Sequence, residues 1–418
     1  MGTFDLVKDK DRLVDYVIAQ NLPDEAVIKA VGSRKFNKNL YVIAIGKAAW
    51  NMANAAYRQL GHQIVKGIVI TKYDHSKGEI PKMGIFQAGH PLSDENTIIA
   101  TGKAIELAES LSCEDELLFL ISGGGSALFE KPLSGLTLED IVDVNGQLLA
   151  AGADIVEMNV IRKRLSAVKA GRFAQFVAPA STFAIVLSDV LGDRLDSIAS
   201  GPMVPDHSTA CDAKRIVEKY NLKLTPLMKE LLEKETPKEV LNVETVITGS
   251  VVTLCQSASQ IAREMGYSPT IICSNMNGEA REAGRLAGAI ASDIVLGKSD
   301  FKAPCAIILG GETVVNLKGT GKGGRNQELA LAAAEGISGL ENVLILSLGS
   351  DGTDGPTDAA GGWVDGATRD ALKEKGIDIH QMLENNDAYY ALKEVNQLII
   401  TGPTGTNVND VAVILVKE

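Results

Sequence analysis

The sequence predicts an α/β protein built of two α/β domains, and three observations carry that reading. Short apolar runs recur along the chain, and each ends in a Gly-rich or acidic polar cluster. Examples are YVIAIGKAAW (41–50), LLFLISGGGSA (117–127), FAIVLSDVLGD (183–193), CAIILGGET (305–313), VLILSLGSDGTDG (343–355) and LIITGPTGTNVND (398–410). Apolar, β-branched-rich runs of about 4–8 residues read as buried parallel strands. Helical patterns lie between them, an alternation that predicts βαβ units. Finally, 418 residues with 45% hydrophobic content can bury a large core, and the length suggests two or three domains.

In chain order, residues 9–31 read as helical. Strands follow near 41–45, 67–71, 84–88, 117–121 and 183–187, with helices over 48–60 and 96–111. A polar helical stretch, 214–240, contains Pro226 and Pro237 and no catalytic-looking cluster, so the domain connection is placed near it. A second series then begins, with strands at 245–249, 270–275, 305–311, 343–349, 398–402 and 411–416. The expected domains are therefore 1–240 and 241–418, with the last strand free to return to the first.

Composition excludes several function classes. Forty-one Lys and Arg against 53 Asp and Glu give a net charge of −12. That disfavours nucleic acid or an anionic membrane surface as partner, although local positive charge can still serve a small anion. The five cysteines lack zinc spacing and suit core packing. The charged start MGTFDLVKDKDR has no signal-like apolar segment, and no apolar run approaches the roughly 18 residues of a membrane helix. A cytoplasmic protein is expected.

In open α/β sheets the ligand sits beyond the carboxyl ends of the strands, and here nearly every strand delivers polar groups there. The richness of that rim points to an enzyme. SGGGSA supplies Gly123, Gly124, Gly125 and Ser126, whose backbone can approach and cradle phosphate oxygens. Lys47 follows Gly46 at a strand end, where a lysine acts as a point charge on phosphate. It is not a Walker A loop, because Ala48 replaces the required Ser or Thr. NVIRKRLSAVKAGR (159–172) reads either as a solvated helix face or as an anion-attracting wall of Arg162, Lys163 or Lys169. Ser188, Asp189 and Asp193 follow another strand, and carboxylates there suit Mg²⁺.

Gly319, Gly321 and Gly324 match G-x-G-x-x-G, but the preceding TVVNLKG alternates like a half-exposed antiparallel strand and the helical pattern starts late. Arg325 is better read as a fork for a carboxylate or phosphate. Asp351 or Asp354 is the candidate proton acceptor or metal ligand, although turn formation explains them equally. Thr404, Thr406, Asn407 and Asn409 are neutral groups suited to hydroxyl or phosphate recognition. His90 alone of five unpaired histidines sits at a strand end.

Together these segments resemble the class II glycerate kinases, the glycerate 2-kinase family that contains a MOFRL domain. The matching stretches run in order from IGKAA near residue 43, through AGHPLSDEN, LISGGGSAL, NVIRKRLSAVKAGR, LSDVLGD, IASGP, GGRNQELAL and LGSDGTDGPTDAAG, to TGPTGTNVNDV near 411. The resemblance implies a larger N-terminal Rossmann-like domain, a smaller C-terminal MOFRL-type domain and an active site in the cleft between them. It implies transfer of the γ-phosphoryl group of ATP to D-glycerate, with Mg²⁺, giving 2-phosphoglycerate. Lys47, Arg325, Asp351 and Asn407 are the implied active-site residues, with Asp189 and the SGGGSA loop beside them. Arg164 stands where a histidine is expected, and Ala170 where a glycine is expected.

The expected division of labour follows. Gly123–Ser126, Ser188 and Asp189 bind the nucleotide, and Asp189 takes the metal. Lys47, Arg325 and Asp351 are catalytic, while Arg325, Thr404 and Asn407 hold substrate. An NAD(P)H-dependent hydroxypyruvate reductase is the alternative enzyme, resting on G-x-G-x-x-G. A non-catalytic sugar-acid or nucleotide sensor is the alternative outside enzymes. A homodimer is left open.

Overall fold

The first series of strands forms one sheet, in the order β3-β2-β1-β4-β5-β6. Its members are β1 (Asn39–Ile45), β2 (Ile64–Lys72), β3 (Met83–Ala88), β4 (Asp115–Ile121), β5 (Ser181–Leu187) and β6 (Val243–Gly249). β1 to β5 run parallel. That order is the doubly wound one, in which the connections reverse direction between β1 and β4. The computed structural model describes residues 5–417, so MGTF of the charged start and the last residue lie outside the description.

β1 and β4 are buried almost throughout because helices cover both faces, which is why they read as unbroken apolar runs. Ile43, Ile45, Phe119, Phe129 and Phe173 centre the core. The ring centroids of Phe129 and Phe173 lie 4.9 Å apart, edge to face.

The second sheet has the order β11-β10-β9-β12-β8-β7. It comprises β7 (Ser268–Met276), β8 (Cys305–Gly311), β9 (Val343–Gly349), β10 (Gly361–Asp365), β11 (Leu398–Ile399) and β12 (Asp410–Val416). It is mixed rather than parallel. Only β7 and β8 pair in parallel, whereas β12 runs antiparallel to both β8 and β9. The expectation of parallel strands came from apolar runs, but a central antiparallel strand covered on both faces is equally apolar: β8, β9 and β12 are buried at every residue.

The chain divides into two compact units, Pro23–Thr248 and Met1–Leu22 with Gly249–Glu418. This corrects three expectations. The boundary falls at Thr248/Gly249 instead of 240, because 245–249 is β6 and closes the first sheet. The stretch 214–240 is no linker: Ile216, Met228, Leu231 and Leu232 build a small helical core with Ile141, Leu148, Ile161 and Leu165. The last strand does not return to the first sheet, since it lies between β8 and β9.

The first helix, Leu6–Gln20, also belongs to the C-terminal unit. Tyr267 Oη donates to Asp9 at 2.6 Å, and Asn21 Nδ2 donates to Ser257 Oγ at 3.1 Å. The buried stripe Leu13, Val14, Val17 announces an apolar face but not its partner.

Candidate active site

In the N-terminal unit the turns after β1 and β4 lie side by side at the switch point, and they are stitched together. Lys47 N donates to Gly123 O at 2.9 Å, and Ala48 N donates to Ser122 Oγ at 3.1 Å. Ser122 Oγ in turn donates to Ile45 O at 3.1 Å. Gly46 has φ +109°, and a Cβ there would collide with Ser122. Gly124 has φ +81°, and a Cβ there would press on the His90 ring and the Lys47 stem. Only glycine allows both the backbone angle and this approach. Gly123 makes room for the Asp189 carboxylate in the same way. Gly125 and Ser126 open the short helix Gly125–Leu128, so their N–H groups have no acceptor within it.

The structure therefore gathers Lys47, Gly123, Gly124, Gly125, Ser126 and Asp189 at one rim. His90 joins them. Burial, reinforced by Lys47, pushes its imidazole down to about 4, so it is neutral at physiological pH. Ser188 is fully buried, and its hydroxyl donates to Val190 O at 3.1 Å; it shapes the turn that carries Asp189.

The basic segment is not an open wall. Lys163 lies between Asp196 and Asp206, both at 3.3 Å. Lys169 is fully buried against Glu130 at 3.0 Å. Arg164 is also fully buried, donating to Ser208 Oγ at 2.8 Å and Ser208 O at 2.9 Å. Ala170 has φ +56°, which explains the expectation of glycine there.

At the second sheet, the antiparallel direction of β12 brings the loop before it to the same edge as the ends of β8 and β9. Asp410 pairs with both Gly311 and Gly349. Glu312, Ser350, Asp351 and the loop 401–409 consequently converge there. Arg325 opens the helix Arg325–Gly336. Its Nη2 donates to Asp410 Oδ1 at 3.0 Å, its Nε binds Asp410 Oδ2, and its Nη1 lies 2.9 Å from Glu312 Oε1. Burial opposes the guanidinium charge, but Asp410 and Glu312 outweigh it and hold Arg325 firmly charged.

Asp351 Oδ1 accepts from Thr353 N at 3.0 Å, and Thr404 N donates to Asp351 O at 3.2 Å. The Thr404 hydroxyl donates to Ser350 O at 2.6 Å. Asn407 is half-buried in the same loop. Arg325, Asp351, Thr404 and Asn407 thus share one edge. Asp354 does not compete with Asp351, because it is buried and accepts from Asn326 N at 3.1 Å and Gln327 N at 2.8 Å, anchoring the helix start. Burial pushes its carboxyl up to about 7 against those hydrogen bonds. Asp410 and Glu312 escaped the sequence reading of roles. Both flank a strand end, the signal by which they could have been found.

The G-x-G-x-x-G loop has another use. Gly319 N donates to Asn386 Oδ1 at 3.0 Å and Gly321 N to Asn385 O at 2.9 Å. A Cβ at either glycine would strike the Asn385 backbone. The 312–318 segment forms a single bridge, Val314 to Glu279, instead of the antiparallel strand expected. The glycines serve packing, not a dinucleotide turn.

No group of three His, Cys, Asp or Glu side chains converges as a metal cluster among the described residues. Magnesium does not require one, since it commonly takes one or two carboxylates with phosphate oxygens and waters. Asp189, given space by Gly123, supplies such a carboxylate, and Oδ1 of Asp193 in the same turn is buried without a hydrogen-bond partner. The residues fit the ion.

Residues 10–233 match a domain of unknown function, DUF4147, and residues 305–410 match the MOFRL family. A D-glycerate 2-kinase of Thermotoga maritima is 51% identical over 94% of each chain. A glycerate 2-kinase of Pyrococcus horikoshii is 40% identical, covering 96% of this chain and 92% of the relative. A protein of Agrobacterium vitis with a provisional hydroxypyruvate reductase name is 38% identical, covering 90% of this chain and 98% of its own. The crystal structure of the glycerate kinase from Thermotoga maritima superposes with a TM-score of 0.96 at 50% identity, covering 98% of this chain and 99% of that one. With this agreement of sequence, fold and order of motifs, the chain belongs to the class II glycerate kinase (MOFRL) family.

Proposed function

We propose that this chain transfers the γ-phosphoryl group of ATP to D-glycerate, giving 2-phosphoglycerate and ADP. The observation that carries the reading is the pair of stitched turns at the β1/β4 switch point, which present Lys47 beside three glycines. Such a rim suits phosphates, and phosphoryl transfer demands positioning and charge neutralisation more than covalent help.

In this reading Gly123–Ser126 and Lys47 hold the ATP phosphates. Asp189 holds Mg²⁺, which when bound neutralises phosphate charge. Arg325 keeps N–H donors beyond those given to Asp410 and Glu312, and these take the glycerate carboxylate or the transferring phosphoryl oxygens. Thr404 and Asn407 orient the substrate. The C2 hydroxyl oxygen attacks the γ-phosphorus, the bond to the bridging oxygen of ADP breaks, and the hydroxyl proton passes to Asp351. No helix is long and apolar enough to cross a membrane, and work in the cytoplasm, where ATP is supplied, is part of the proposal.

ADP release with D-glycerate, ATP and Mg²⁺ tests it against NAD(P)H oxidation with hydroxypyruvate. The proposal expects the first and not the second. NAD(P)H oxidation without ADP release overturns it.

A further inference from the structure

Of the four cations in the segment 162–169, Arg162 and Lys169 reach the Gly123–Ser126 turn, and three of the four have acid partners. Lys163 has Asp196 and Asp206, Arg164 has Asp206 and Glu235, and Lys169 has Glu130. Arg162 has no carboxylate within ion-pair distance among the described residues. Its Nη2 makes one long hydrogen bond, 3.4 Å, to Ser126 O, and its Nε is buried without a partner. Lys169 Nζ donates to the same Ser126 carbonyl at 2.8 Å. Two cations therefore share the Ser126 carbonyl, while the acid Glu130 pairs with Lys169 alone among the described residues. Burial works against the Arg162 charge. A half-buried guanidinium with a buried, unpartnered Nε and one long Nη2 bond is costly unless something else completes it.

We infer that Arg162 is an oxyanion-binding residue at this turn, taking a phosphate oxygen of the nucleotide or the carboxylate of the acceptor. The inference rests on the kinase reading for its ligands but not for its test. The Ser126 carbonyl takes one Nη2 hydrogen, and the remaining N–H groups offer the planar fork that suits such anions.

The test compares the full chain with Arg162→Gln and Arg162→Lys. Thermal melting is followed alone and with ATP, D-glycerate or inorganic phosphate, beside steady-state kinetics. In Arg162→Gln the KM for one ligand should rise about tenfold or more, and the melting shift given by that ligand or by phosphate should disappear. The ligand affected distinguishes phosphate from carboxylate. The ligand-free melting temperature should hold or rise, because an uncompensated charge is removed. Arg162→Lys should recover part of the binding. The inference falls if Arg162→Gln keeps both KM values and the ligand-induced shifts, or if it melts lower when free with those shifts intact, the behaviour of a packing residue. If the unaltered chain makes no phosphoester, the kinase reading fails and the phosphate shift alone decides Arg162.

Discussion

Asp410 grips Arg325 through two parallel hydrogen bonds from the first position of β12, while Glu312 at the end of β8 takes a third N–H. The arginine proposed to meet substrate is thus aimed by two strand ends. Asp410→Asn should lower kcat by about 100-fold or more. Breaking a buried pair costs roughly 3–5 kcal/mol. The Arg325 side chain is 33% exposed, so a smaller loss of about 2 kcal/mol is expected here. Kinetics and urea unfolding check both; a variant with full turnover would detach Asp410 from the site.

Lys47→Ala should lower kcat by orders of magnitude while leaving the melting temperature within a few degrees. The lysine is half-buried at a rim, and its backbone carries the stitching hydrogen bonds. Turnover near normal would remove its side chain from phosphate binding.

Gly124→Ala should cost about 1–2 kcal/mol from the left-handed backbone alone. The new methyl would also displace Lys47 and His90, so kcat should fall at least about tenfold. Ala170→Gly is the converse case. Relief of strain at φ +56° should stabilise the chain by up to about 1 kcal/mol, with kinetics unchanged. Differential scanning calorimetry reads both.

Asp354 sets a pH dependence. Its folded pKa, about 7, lies above the ordinary 3.8, so the native state binds more protons than the unfolded chain between these values. Stability from this group therefore falls as pH rises from about 4 to 7 and is level above. Asp354→Asn retains an acceptor for the helix start and should flatten that slope in unfolding measured across the window. An unchanged slope would place the titration elsewhere.

The first sheet was legible in β1 to β5, whose runs end in polar clusters, but not in β6, whose residues 245–249 read as the start of the second series. The second was legible in β7, β8, β9, β11 and β12 but not in β10, which opens on two glycines, nor in strand direction, since Val411 to Val416 read the same in either sense. Proximity of Lys47, Gly124 and Asp189 follows from the strand-end rule. The role of Asp410 does not, because an antiparallel strand brings its beginning to the rim. Arg162, Lys163 and Lys169 look alike in sequence, and only their acid partners tell them apart. Asn385 and Asn386, which absorb the misleading glycine loop, are distant in sequence and carry no local signal.

The most direct measurement is the phosphorus NMR spectrum of the product formed from D-glycerate, ATP and Mg²⁺. A 2-phosphoglycerate resonance growing with ADP is the predicted result. A 3-phosphoglycerate resonance would contradict the proposed placement of the C2 hydroxyl, and no phosphoester at all would contradict the account of the site.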